Sequence, residues 1–263
     1  MVAESYTSLI TYNPLSVREN APISEAVELF VASGVSTLPV VDAERKVRGV
    51  IRCASAVAAA QRDTSGGGRL LVSDMVREVK VQLNESATPS EIIDALLAAG
   101  ERSLPIVREG RLIGVVSRSD VLREFSYGEL ECSRRPVWEV MHGRESGFDL
   151  HVDPREVLKC LRRERLPLVV VLQGECPVGV ATVEQLCKAI DRDGEQGLMQ
   201  IATLQVVTCL PQVGAAKAAQ LLLDAHGLAV AVVDRQNCHL GTLTVESLLE
   251  LIADGLRWAE TPA

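Results

Sequence analysis

Ser117, Arg118 and Asp120 stand together in Gly114-Val-Val-Ser-Arg-Ser-Asp120, where a short apolar strand gives way to the helix-forming run Val-Leu-Arg-Glu-Phe. A carboxylate at a helix start can accept both hydroxyl protons of a ribose 2′,3′-diol, and each hydrogen bond to a charged acceptor contributes about 1.5–3 kcal/mol. Ser117 can add a bond to a sugar or phosphate oxygen. The backbone N–H groups of a first helical turn favour an anion, and Arg118 supplies a mobile cation beside them. The same spacing also serves a plainer purpose, with the hydroxyl as N-cap and the acid in the first turn of the helix. Capping accounts for the hydroxyls of Thr182 with Gln185 and of Thr244 with Ser247, which stand at related places; it does not require the aspartate.

Such a motif needs a scaffold that sets a strand end against a helix start, and the chain builds one repeatedly. SEAVELFVASGVSTLP (24–39) and SEIIDALLAAGERSLP (90–105) align without a gap, and self-similarity at a fixed period marks a repeat architecture. Each copy runs on into an apolar strand, a charged turn and a second strand opened by a glycine. Those glycines, Gly49, Gly114, Gly179 and Gly241, are 65, 65 and 62 residues apart. The period predicts four units, 1–66, 67–130, 131–195 and 196–263, each reading strand, helix, strand, strand, helix. The third is read with a shorter helix before Leu166-Pro167 and a compensating longer turn before Gly179; the fourth loses the proline but keeps Val-Val-Asp. Thr88-Pro89-Ser90-Glu91 and Asp153-Pro154-Arg155-Glu156 predict helix starts with a capping box and proline at the first helical position. Ile92, Leu96 and Ala99, matched by Ala26, Phe30 and Ser33, predict one buried helical face. DAERK and REGR read as hairpin turns. RDTSGGGR (62–69) and SYGELECSRR (126–135) read as linkers, each followed by a matching phrase, SDM at 73–75 and WEVM at 138–141. TSGGGR lacks the Gly-Lys-Ser/Thr ending of a phosphate loop.

Composition narrows the function classes. Hydrophobic residues make up 47% of 263 but aromatics only 3%, so the cores are built from Val, Leu, Ile and Ala, which suits several small units. A net charge of −8 works against attraction to nucleic-acid phosphates. Seven cysteines without a CxxC pair and four scattered histidines give no zinc spacing and point to a reduced, intracellular protein. MVAESYTSLITYNP has no basic start followed by an apolar run, so no secretory signal is expected, and LPLVVVLQ is broken by Gly174 and Glu175, far short of the roughly 20 apolar residues of a membrane span; a cytoplasmic protein is expected. No local nucleophile–base signature surrounds Cys160, Cys187, His142 or His151, so a non-catalytic protein is expected. His226, before Gly227, reads as a histidine at a helix C-terminus.

A repeat of this length, with the LPVVD-type strand, the charged turn and G-V-V-S-x-x-D opening its last helix, resembles the cystathionine-β-synthase (CBS) domain. The resemblance covers nearly the whole chain, being most specific in the second unit and looser in the third and fourth. It implies an α/β fold of four β-α-β-β-α repeats paired into two Bateman modules packed as a disc, as in the gamma subunits of AMP-activated protein kinase. It further implies a regulatory protein whose clefts hold AMP, ADP, ATP or S-adenosylmethionine and whose occupancy alters a partner protein, a kinase or other enzyme; a homodimer is a further arrangement it allows. Fold alone does not establish binding.

By that resemblance Ser117 and Asp120 inherit the ribose-binding role, with Arg118 beside them. The His-Arg pair that reaches phosphate in the kinase gamma subunits corresponds to Arg102-Ser103 in the second unit and Glu164-Arg165 in the third, making Arg102 and Arg165 phosphate candidates. An adenine slot is implied along the entering strand VKVQ, with Val79 and Val81, and at Pro105. Thr182 and Thr244 are secondary candidates that lack the charge. Arg52 and Ser55 replace hydroxyl and acid in the first unit, which is expected not to hold a ribose in this way. The alternative reading is an interaction scaffold in which the motif only caps a helix.

Overall fold

The computed structural model describes residues 9–66, 70–79, 81–128, 130–190 and 197–260. Its elements run β1 (Thr11–Tyr12), β2 (Val17–Arg18), α1 (Ile23–Ser33), β3 (Thr37–Val41), β4 (Val47–Arg52), α2 (Cys53–Gly66), β5 (Leu83–Asn84), α3 (Pro89–Ala99), β6 (Ser103–Arg108), β7 (Arg111–Ser117) and α4 (Arg118–Ser126). The second half continues with β8 (Gly147–Asp149), α5 (Pro154–Glu164), β9 (Leu168–Gln173), β10 (Cys176–Thr182), α6 (Val183–Ile190), α7 (Leu198–Ile201), β11 (Val207–Cys209), α8 (Ala215–Asp224), β12 (Ala229–Val233), β13 (His239–Thr244) and α9 (Val245–Glu260). The predicted order strand, helix, strand, strand, helix therefore occurs four times. Each occurrence makes a small sheet, ordered β2-β3-β4, β5-β6-β7, β8-β9-β10 and β11-β12-β13, with β1 added beside β7. The short first strand runs parallel to its neighbour and the other two form an antiparallel hairpin.

Local chemistry explains these elements. Thr88 accepts from the Glu91 backbone N–H at 3.3 Å while the Glu91 carboxylate accepts from Thr88 N at 2.8 Å, the reciprocal box that the sequence predicts. Asp153 caps α5 differently, accepting from Arg155 N at 2.7 Å. The recurring Val-Val-Asp closes a hairpin turn: Asp42 Oδ1 accepts from Glu44 N and Lys46 N (3.0 and 2.8 Å), and Asp234 Oδ1 repeats this with Gln236 N and Cys238 N (2.9 and 2.8 Å). These are Asx turns, in which a short side chain imitates the backbone. Ala26, Phe30, Ile92 and Leu96 are buried, whereas Ser33 is exposed and bonds back to Leu29 O.

Three expectations need correction. The third repeat contains no compensating changes: α5, β9 and β10 lie 65 residues after α3, β6 and β7 throughout, and Leu168 pairs with Thr182 as Ser103 pairs with Ser117. Leu166-Pro167 is thus not the counterpart of Leu104-Pro105; local Leu-Pro identity competed with strand register, and register decides which face a side chain takes. Secondly, α2 continues through the first part of RDTSGGGR to Gly66, the Ala-rich run AAAQR (58–62) being a strong helix former that carries the helix past the expected boundary; Gly67–Arg69 lie outside the described residues. Thirdly, the entering strand is Leu83–Asn84, not VKVQ.

Chain contacts gather the described residues up to Asp120 into one compact unit and those from Val121 onward into another, the cut falling inside α4. Within each unit the two repeats exchange backbone. Thr11 and Tyr12, ahead of the first repeat, pair with Val115 and Gly114 of the second, and Arg77, ahead of the second, bridges Val50 of the first. Likewise His142 bridges Thr242 and Thr203 bridges Val180. SDM lies within one 3-10 turn, Val72–Met75, and WEVM begins in another, Val137–Glu139; these turns start the lead-in segments of the second and third repeats. The periodic glycines lie where the segments cross. A Cβ on Gly179 would stand 2.8 Å from Thr203 O, and one on Gly49 or Gly241 would meet Arg77 O or His142 O closer still. The period of the sequence is the period of this crossing.

Candidate functional site

Four strand-to-helix junctions carry the candidate residues. At the β7–α4 junction Asp120 Oδ2 accepts from Ser117 N (2.9 Å) and Ser117 Oγ (2.6 Å), while Asp120 N donates to Ser117 Oγ at 3.2 Å. The pair is a closed capping box, half-buried, with the carboxylate held where strand becomes helix. Arg118 is not the mobile cation expected of it: its Nε donates to Glu101 O at 2.9 Å and its Nη2 to Leu96 O at 3.5 Å. Carbonyls at the end of α3 draw the guanidinium because a helix C-terminus leaves acceptors unpaired. Arg102 has an exposed side chain, and its carbonyl accepts from Arg118 N at 2.9 Å.

Val79 is buried and Val81 half-buried. They lie in the crossing between the first two sheets, because the chain pairs with Val50 at Arg77 and with Ile106 at Leu83. Lys80, between them, lies outside the described residues. Pro105 is buried in β6 opposite Val115. The valines thus occupy the passage between repeats, while Pro105 belongs to the sheet that ends in Ser117.

The other junctions show what the box does without a carboxylate. Gln185 Oε1 accepts from Thr182 N (2.8 Å) and Thr182 Oγ1 (3.0 Å), and its amide nitrogen donates to Thr203 Oγ1 at 3.2 Å. Thr244 and Ser247 share a hydroxyl contact of 2.9 Å, and Ser247 meets His142 Nε2 at 3.1 Å. Thr244 is only 1% exposed, so this junction is closed by the lead-in histidine. In the first repeat Arg52 directs Nη2 to Glu101 Oε2 at 2.7 Å. Arg165 is exposed and left-handed (φ 55) at the end of α5, where Gly34 and Gly100 end α1 and α3. Strand register makes Pro167, not Arg165, the counterpart of Arg102, so the equivalence that suggested a phosphate role for Arg165 does not hold.

Sequence reasoning missed Glu101, Arg77 and His142, whose roles arise from the exchanged backbone. A signal was present in Glu101, an acid where the other repeats carry Val35, Leu166 and Gly227. Among the described residues no group of three or more His, Cys, Asp or Glu is placed to hold a metal ion, and no helix is long and apolar enough to cross a membrane.

Residues 6–59 and 72–127 match the CBS domain family model. Those two stretches, in the first half of the chain, form a pair of CBS domains. The uncharacterized protein MJ1225 of Methanocaldococcus jannaschii is 28% identical over 126 residues, 46% of this chain and 43% of its own length. The A-adding tRNA nucleotidyltransferase of Geobacter sulfurreducens is 28% identical over 158 residues, 60% of this chain and 17% of the relative. The chain thus spans less than half the length of these two curated relatives. The crystal structure of MJ1225, described there as a proposed archaeal homolog of g-AMPK, superposes with a TM-score of 0.69 at 18% identity, covering 93% of this chain and 98% of that one. An uncharacterized conserved protein from Pyrococcus horikoshii gives 0.61 at 16% identity, covering 94% and 98%. At these identities the likeness is one of fold, and that likeness of fold extends through the second half, beyond the residues matched by the family model.

Proposed function

We propose that the first pair of CBS repeats binds an adenine nucleotide, of the AMP, ADP or ATP class, at the β7–α4 junction, and that the protein is a non-catalytic regulator that passes occupancy to a partner protein. The observation that carries this reading is the Ser117–Asp120 box. Of the four junctions it alone holds a carboxylate where Gln185 and Ser247 show that a neutral group suffices to cap the helix. Val79 and Val81, in the crossing between the sheets, are suited to an apolar slot for the base. Signalling then requires that the nucleotide bind two states of the repeat pair with different affinity.

Thermal denaturation with AMP, ADP, ATP and S-adenosylmethionine tests the reading. A ligand at 100 times its Kd adds about 2.7 kcal/mol, and each kcal/mol moves the midpoint of a domain this size by about 2–4 °C. Asp120→Gln copies the neutral box of the third repeat while removing the charge; titration calorimetry should show affinity weakened roughly 10- to 100-fold, the loss of one or two charge-assisted bonds. Unchanged affinity would move the site elsewhere. The second reading, a scaffold without a small-molecule ligand, is favoured by the neutral boxes of the third and fourth repeats, and absence of any shift would select it.

A further inference from the structure

Glu101 is an acid in a place where the fold asks for none. It follows Gly100, the left-handed residue that ends α3, and it is 6% exposed; a carboxylate so buried is tolerated only when paired. Arg52 reaches Oε2 with Nε at 3.2 Å and Nη2 at 2.7 Å, and Arg77 Nη2 lies 3.4 Å from Oε1. The Glu101 carbonyl meanwhile accepts from Arg118 Nε at 2.9 Å. Arg52 holds in the first repeat the place of Ser117 in the second, since Thr37 pairs with Arg52 as Ser103 pairs with Ser117. Arg77 belongs to the lead-in segment, its N and O both bonded to Val50 at 2.9 Å. One residue therefore joins both strand–helix junctions of the pair and the segment that crosses between them.

We propose that Glu101 is a positioning residue that relays occupancy of the Ser117–Asp120 site to the first repeat. This rests on the nucleotide reading above. An Nε–H can serve one strong acceptor at a time, so an Arg118 that turns to a ligand phosphate leaves the Glu101 carbonyl. The turn 100–102 is then released from the second junction while its carboxylate still clamps Arg52 and Arg77, and the first repeat feels the change through them.

Hydrogen–deuterium exchange of the full chain with and without AMP tests the relay. In the wild type AMP should alter exchange in 115–122 and also in 48–54 and 76–79. In Glu101→Gln the first response should persist and the second disappear. A wild-type response confined to 115–122, or an equal response at 48–54 in Glu101→Gln, overturns the proposal. Should AMP, ADP and ATP all fail to bind the wild type, the nucleotide reading falls, and the coupling through Glu101 is judged separately by urea unfolding of Arg52→Met, Arg118→Met and the double variant, which also serves if Glu101→Gln does not fold. Shared use of Glu101 predicts non-additive shifts of the midpoint; additive shifts overturn the relay.

Discussion

At the scale of single residues, one side chain can satisfy two demands, and the demands separate by substitution. Asp120 closes a cap and supplies a charge, whereas Gln185 closes the same cap without one. In the absence of nucleotide, Asp120→Ala is expected to cost about 0.5–2 kcal/mol, the usual loss for a removed cap, with Asp120→Gln costing markedly less; urea denaturation measures both. Equal losses would mean that charge, rather than geometry, stabilises the start of α4.

At the scale of elements, the exchanged lead-in segments govern the molecule. Gly241→Ala sets a methyl group against His142 O, and Gly179→Ala against Thr203 O; each should cost about 1–3 kcal/mol as an overpacked contact. Gly197→Ala is the control, its Cβ meeting only Leu150 O at an ordinary 3.6 Å. The same crossing carries a buried histidine. His239, 4% exposed, contacts Thr242 Oγ1 at 3.0 Å; burial first, and then the nearby Arg144 against the opposing Glu145, push its pKa below the ordinary value. Well above about pH 6.5 neither the folded nor the unfolded chain protonates this group appreciably. As pH falls below that value the unfolded chain takes a proton that the folded one resists, so stability falls until the lowered folded pKa is reached. Denaturant melts at pH 7.5 and 5.5 should show a smaller loss for His239→Asn than for the wild type; parallel losses would place the pH dependence elsewhere.

For the whole molecule, all seven cysteines stand as free thiols. Cys209 is buried, and desolvation pushes its pKa up to about 11, leaving little thiolate to react at neutral pH. Dithiothreitol should therefore leave the melting midpoint unchanged, and Cys209 should be among the last thiols labelled by an aromatic disulfide reagent in the native protein. Rapid labelling of Cys209 would show that its part of the second unit opens readily.

The sequence by itself determined the repeated unit, its order of elements, the helix starts at Thr88 and Asp153 and the hairpin turns, since each follows from residues close together in the chain. It also singled out Ser117 and Asp120, three residues apart. The partners of those elements were decided only by tertiary structure. Nothing local tells Gly241 that His142 will cross it, or places Glu101 against Arg52, 49 residues away. Register along the third sheet likewise overruled the Leu-Pro likeness that had suggested Arg165, because hydrogen-bonded pairing fixes a strand along its whole length while a dipeptide match constrains two positions.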